Sequence, residues 1–184
     1  MLDAKETWTQ KERIEYFECI YNDYKQKVYN TARFLIKDSK LAEDIMQEVF
    51  IKIFINFDSL RSVDKLSSWI YRITYNHSMN YISRNKKIKM ETGFEDQEFT
   101  LHSKIYVPEE LVLEEEFAKE ILGIVSLLPQ KHYQTVILFY YLGMGISEIA
   151  NTMKCLQGTV KSRLFYSRAF LKKELEDCRT QIGE

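Results

Sequence analysis

Gly145-Ile-Ser-Glu-Ile-Ala-Asn-Thr-Met-Lys-Cys-Leu-Gln-Gly-Thr-Val-Lys-Ser-Arg-Leu164 holds two apolar periods with a break between them. Ile146, Ile149, Ala150 and Met153 recur at three-to-four residue intervals and give one face to a short helix. Val160, Leu164, Leu171 and Leu175 do the same on a second. The small Ala150 allows close approach, and only Lys154 to Gln157 separate the two periods, so the spacing predicts a helix-turn-helix. The second helix is expected to project Thr159, Lys161, Ser162, Arg163, Phe165 and Arg168 away from that core. Hydroxyls there can meet bases or phosphates and cations can meet phosphates, which suits a helix lying in the major groove. An ordinary helical hairpin with a solvated basic face would carry the same residue types.

Working back toward the N-terminus, the chain continues to read as helix. Tyr16, Ile20, Tyr24, Val28, Phe34 and Leu35 form an amphipathic stripe with a slip near Thr31. Leu41, Ile45, Val49 and Ile53 form a second, widened by Met46, Phe50, Phe54 and Phe57, and Asp38 or Ser39 can cap its start. Leu66 to Ile82 is a third run, with Trp69, Ile70, Ile73 and Tyr81, ending in the basic Arg84-Asn-Lys-Lys-Ile-Lys89. Leu111 to Leu128 is helical again. Pro129 then punctuates before an apolar helix with Val136, Ile137, Phe139 and Tyr140, ended by Gly143 and Gly145, with Ser147 opening the next. The predicted fold is all-α: two small helical domains, 1–90 and 115–184, joined by an acidic linker over 91–114.

Composition excludes several classes. A chain of 184 residues with only 6 Gly and 2 Pro has little punctuation for hairpins. Its longest nearly apolar stretch, Val136 to Ile146, is shorter than the roughly 18 residues a membrane span needs, and Met1-Leu-Asp-Ala-Lys-Glu has no apolar signal core. No direct membrane insertion is expected. Cys19, Cys155 and Cys178 are far apart and in neither CxxC nor HxxxC spacing, which argues against a disulfide framework or a zinc site and fits a reducing cytoplasm. His77, His102 and His132 fall on dissimilar segments, and the chain has no Gly-rich phosphate loop or Ser/His/Asp arrangement. The sequence thus predicts no catalytic residues, no metal and no cofactor.

The net charge of −1 conceals a pattern. Residues 1–90 carry +4, residues 91–129 carry −8 and residues 130–184 carry +3. Two basic blocks around an acidic one suggest a partner with its own charge pattern; a solvated spacer between two ordinary domains gives the same numbers.

Three segments taken together carry a resemblance. Leu41-Ala-Glu-Asp-Ile-Met-Gln-Glu-Val-Phe50, Ser68-Trp-Ile-Tyr-Arg-Ile-Thr-Tyr-Asn-His77 and Gly158-Thr-Val-Lys-Ser-Arg-Leu164 closely resemble, in order and spacing, the motifs of extracytoplasmic-function sigma factors of the sigma-70 superfamily. The resemblance covers about residues 15–90 and 115–175. It implies a promoter-recognition subunit without catalytic activity, in which 1–90 corresponds to sigma region 2 and 115–184 to region 4. Such a subunit binds core RNA polymerase, opens the −10 element of promoter DNA and contacts the −35 element. The resemblance also implies an anti-sigma factor as a partner, soluble or membrane-bound, and a linker that threads toward the polymerase active centre.

The family assigns residues to each role, and their chemistry is compatible with it. Glu43, Asp44, Gln47, Glu48 and Phe50 correspond to the surface that binds the clamp of core polymerase; the four polar residues stack four apart on one helix face, as they would on any solvated face. Trp69, Arg72, Tyr75, Asn76, His77, Asn80, Arg84, Lys86 and Lys87 correspond to the −10 contacts. Unpaired bases expose faces for rings and edges for amides, and Asn76 and Asn80 match the strand-separating positions. Thr159, Lys161, Ser162, Arg163, Phe165 and Arg168 correspond to the −35 contacts.

Three positions depart from the family. Lys154 stands where a turn Gly is common, Leu156 where a Ser or Thr caps the recognition helix, and Tyr166 where an Arg is frequent. The competing reading is an autonomous ligand-responsive regulator with residues 1–110 as sensor. It predicts a dimer that binds DNA without polymerase.

Overall fold

The computed structural model describes residues 9–60, 62–92 and 115–182, and every regular element among them is helical. The chain divides into two compact units, Met1–Phe94 and Glu95–Glu184. Most of the acidic segment expected as a linker, 93–114, lies outside the described residues.

In the first unit α1 (Gln10–Ile36) packs on α2 (Ser39–Ile55) and on α3 (Leu66–Thr92), which also pack on each other. Thr9 and Glu12 start α1 with a capping box: the Thr9 amide donates to Glu12 Oε2 at 2.8 Å and the Glu12 amide to Thr9 Oγ1 at 3.3 Å. Steps of four residues overrun a helical turn by about 40°, so the stripe through Ile20 and Val28 drifts around the axis. The three-residue step from Ala32 to Leu35 turns it back, and the slip near Thr31 interrupts nothing. Thr31 is itself buried and donates its hydroxyl to the Lys27 carbonyl at 2.6 Å.

Lys37 ends α1 in the left-handed region at φ 62°, and Asp38 caps α2 by accepting the Leu41 amide at 3.1 Å. Val28, Ala32, Ile45, Val49, Ile53 and Ile70 form a core with no more than 2% of any residue exposed. Burying each Val or Ile there stabilises the unit by about 1.5–3 kcal/mol. The far end of α2 is tied to α1 by Arg13, whose Nη2 donates to the Phe54 carbonyl at 2.8 Å while its guanidinium lies 5.3 Å from the Phe54 ring centre. Helix α3 extends to Thr92, ten residues beyond the apolar run that predicted it.

In the second unit α4 (Glu115–Ser126), α5 (Gln130–Val136) and α6 (Ile146–Met153) precede the long α7 (Gln157–Ile182). Val125, Leu128 and Val136 pack with Ile121, Tyr133, Phe170 and Leu171. Leu138, Ile149, Val160 and Leu164 are buried as well. The apolar run after α5 is not a plain α-helix. Ile137–Tyr141 widens to a π turn, closed by the Leu142 amide on the Ile137 carbonyl at 3.1 Å, and Gly143 follows at φ 65°.

Helix α6 begins at Ile146, one residue before the expected Ser147. Glu148 reaches back to accept the Gly145 amide at 2.9 Å, a role Ser147 cannot take from inside the first turn. Lys154 then ends α6 at φ 51°, ψ 53°, and the Cys155 amide closes the turn on the Ala150 carbonyl at 3.0 Å.

Candidate functional site

On α2 the exposed side is polar. Glu43, Asp44, Gln47 and Glu48 are all exposed, opposite the buried Ala42, Ile45 and Val49. Phe50, expected among them, is a correction: it is 4% exposed, and its ring meets Tyr21 at 4.8 Å and Phe17 at 6.2 Å between ring centres. The large apolar residues this helix does expose are Ile51 and Ile55, four residues apart, and Phe54. Ile51 and Ile55 fall outside the expected buried stripe and have no role in the sequence reading, whereas Phe54 is counted inside it.

On α3 the structure separates the aromatic residues from the polar ones. Trp69 and Tyr75, expected at the −10 surface, are buried, so their rings are committed to the core and present no face for stacking. Arg72, Asn80 and Arg84 are exposed and Asn76 half-buried. These four recur at four-residue intervals, a row about 18 Å long that winds through about 120° around the helix. Lys86 and Lys87 continue the helix, but their side chains lie outside the described residues.

His77 occupies a third position, between the helices. Its Nε2 lies 2.7 Å from Glu48 Oε2 and its Nδ1 2.6 Å from Lys52 Nζ. An ammonium can only donate, so Nδ1 accepts from Lys52 and Nε2–H donates to Glu48, which fixes a neutral tautomer. Burial holds the imidazole below its ordinary pKa, helped by the Lys52 and Arg84 charges and opposed by the Glu48 carboxylate. The expected −10 contact is therefore engaged inside the molecule, and the expected polymerase contact Glu48 is its partner.

On α7 Lys161, Ser162, Phe165 and Arg168 are exposed and Thr159 half-buried. Arg163 corrects the expectation that it points outward: its Nη1 lies 3.9 Å from both Met153 Sδ and Cys155 Sγ, folded back against the turn. Arg168 Nε donates to the Tyr140 hydroxyl at 2.7 Å. Leu156 is 79% exposed immediately before α7 and offers no side-chain oxygen to its first amides. Tyr166 is exposed too, its ring edge-on to Phe165 at 5.5 Å.

Residues 20–88 match the family model of sigma-70 region 2, a span that contains α2, the Glu48–His77–Lys52 group and the α3 row. Over 168 residues, 88% of this chain and 89% of the relative, the sequence is 32% identical to the ECF RNA polymerase sigma factor SigW of Bacillus subtilis. The chain belongs to the extracytoplasmic-function sigma factors. It is also 30% identical over 139 residues, 72% of the chain and 73% of the relative, to the sigma-E factor of Escherichia coli K12. The fold is that of the sigma factor RpoE solved with the anti-sigma factor NepR from Bartonella quintana, at a TM-score of 0.66 and 20% identity over 88% of this chain and 98% of that one. CnrH, solved with the cytosolic domain of CnrY, shares it at a TM-score of 0.58 and 14% identity over 89% of each chain. Membership makes this sigma factor a DNA-binding factor of transcription initiation, and the relatives are not enzymes. Among the described residues no group of His, Cys, Asp and Glu is arranged to hold a metal, and no helix is long and apolar enough to cross a membrane.

Proposed function

We propose that this sigma factor binds core RNA polymerase through the exposed face of α2, engages the unpaired −10 strand along α3, and reads the −35 duplex with α7. The Met1–Phe94 unit then serves as region 2 and the Glu95–Glu184 unit as region 4, acting in the cytoplasm. The observation that carries the reading is the row Arg72, Asn76, Asn80 and Arg84: two amides, one exposed and one half-buried, lie between two exposed cations on a helix inside the region 2 match. Amides can meet the edges of bases only after the strands part, and cations neutralise the flanking phosphates. The acidic α2 face is complementary to a basic partner surface. An anti-sigma partner is proposed from the relatives solved with NepR and with CnrY.

Reconstituted transcription tests the proposal. The chain added to core polymerase is expected to direct initiation at a subset of promoters from its source genome. A chain that binds no core polymerase and instead binds an operator by itself as a dimer would replace this reading with that of an autonomous regulator.

A further inference from the structure

We infer that Tyr140 and Arg168 form a composite clasp for one phosphate of the DNA backbone, with Tyr140 as the residue that positions the arginine. The inference rests on reading α7 as the helix that contacts duplex DNA. Arg168 Nε donates to Tyr140 Oη at 2.7 Å, and the guanidinium carbon lies 5.9 Å from the ring centres of both Tyr140 and Phe139. Those two rings stand edge to face at 5.0 Å, side by side on the π turn that follows α5. A guanidinium held by its Nε and flanked by two rings has lost most of its freedom to swing, which prepares it for a directional contact.

The hydrogen-bond arithmetic leaves the clasp donor-rich. The Tyr140 oxygen accepts from Nε, so its own O–H remains to donate outward. The Nη groups of Arg168 make no hydrogen bond or ion pair among the described residues, and both residues are exposed. Donors on two side chains around one cation, with no carboxylate paired to it, match the tetrahedral oxygens of a phosphodiester.

Position supports the same ligand. Arg168 follows Lys161 by seven residues, two turns on along one face of α7, or about 10 Å. A recognition helix reads bases with its N-terminal residues in a groove about 8.5 Å deep, so residues two turns later reach the backbone at the rim. Tyr140 lies 28 residues before Arg168 and outside the helix-turn-helix sequence pattern, so that pattern gives no sign of it.

The test compares wild type with Tyr140→Phe, Arg168→Ala and the double variant, each in the full-length chain. Promoter binding is measured for the reconstituted holoenzyme across a salt series, and non-specific duplex binding for the free chain. Arg168→Ala is expected to weaken binding about tenfold at every sequence and to lower the salt slope by about 0.9, the signature of one lost phosphate contact. Tyr140→Phe keeps both rings and should give a smaller loss in the same direction, and the double variant should lose less than the sum of the two single losses. Unchanged salt slopes in both single variants, with a lowered melting temperature of the free chain, would show a purely structural tie and overturn the inference. Additive losses in the double variant would overturn the positioning role. A wild-type chain that forms no holoenzyme would instead refute the sigma reading, and the free-chain salt series would still report on the clasp.

Discussion

Replacing Lys154 with Gly should stabilise the helix-turn-helix. Lys154 ends α6 at φ 51°, ψ 53°, where the side chain of an L-residue crowds its own backbone. That conformation costs roughly 1–2 kcal/mol for a residue bearing a Cβ. Glycine removes the crowding and gives back about 0.5–1 kcal/mol through its greater freedom in the unfolded chain. The net expectation is stabilisation by about 0.5–1 kcal/mol, or about 2–8 °C in the melting temperature of a unit this small. The Lys154 side chain is exposed, so its removal subtracts little. Amide hydrogen exchange of the full-length chain is the sharper assay. Amides of α6 and the first turns of α7 should exchange about two- to fivefold more slowly, while those of α1 to α3 in the other unit stay unchanged. Lys154→Ala is the control, because it removes the ammonium and keeps the Cβ. Equal protection in the Gly and Ala variants, or faster exchange in the Gly variant, would refute the argument from backbone strain.

Two further expectations concern the junction of α2 and α3. The folded state keeps His77 neutral, with a pKa below its ordinary 6.5, so as the pH falls through that value the unfolded chain takes up the proton first. The stability linked to His77 is therefore present above pH 6.5 and lost below it. Urea titrations at pH 7.5 and 5.5 should show a smaller drop for His77→Gln than for wild type, and an equal drop would mean that His77 is not the group responsible. Asp44→Lys should weaken binding to core polymerase while changing stability by no more than about 0.5 kcal/mol, as exposed helix substitutions usually do. Glu48→Lys should in addition lower the melting temperature, because it sets a cation against His77 and Lys52. Pull-downs with core polymerase, run beside thermal melts, separate the two effects, and unaltered affinity in the Asp44 variant would leave that carboxylate a solvated face.

The helices, the break between α6 and α7, and the likeness to sigma factors were legible in the sequence, because each depends on spacing along a single segment. Apolar residues at three-to-four intervals fix which side of a helix is buried whatever packs against it. Lys154 stood out through the resemblance alone, which marks it as a position where a turn Gly is common.

Tertiary structure decided how wide each buried side is. Apolar and aromatic residues occupy so much of the circumference of α2 and α3 that their period leaves the edges of the stripe undefined, and the edges fall where the neighbouring helix ends its contact. Phe50, Trp69 and Tyr75 lie inside that limit, whereas Ile51 and Asn80 lie beyond it. The same holds for polar partners. Glu48 and Lys52 reach His77 from another helix, and Tyr140 meets Arg168 across 28 residues of chain. A hydrogen bond depends on distances of about 3 Å. Helical periodicity gives the direction of a side chain about its own axis, and only the packing of one helix on another turns two directions into a contact.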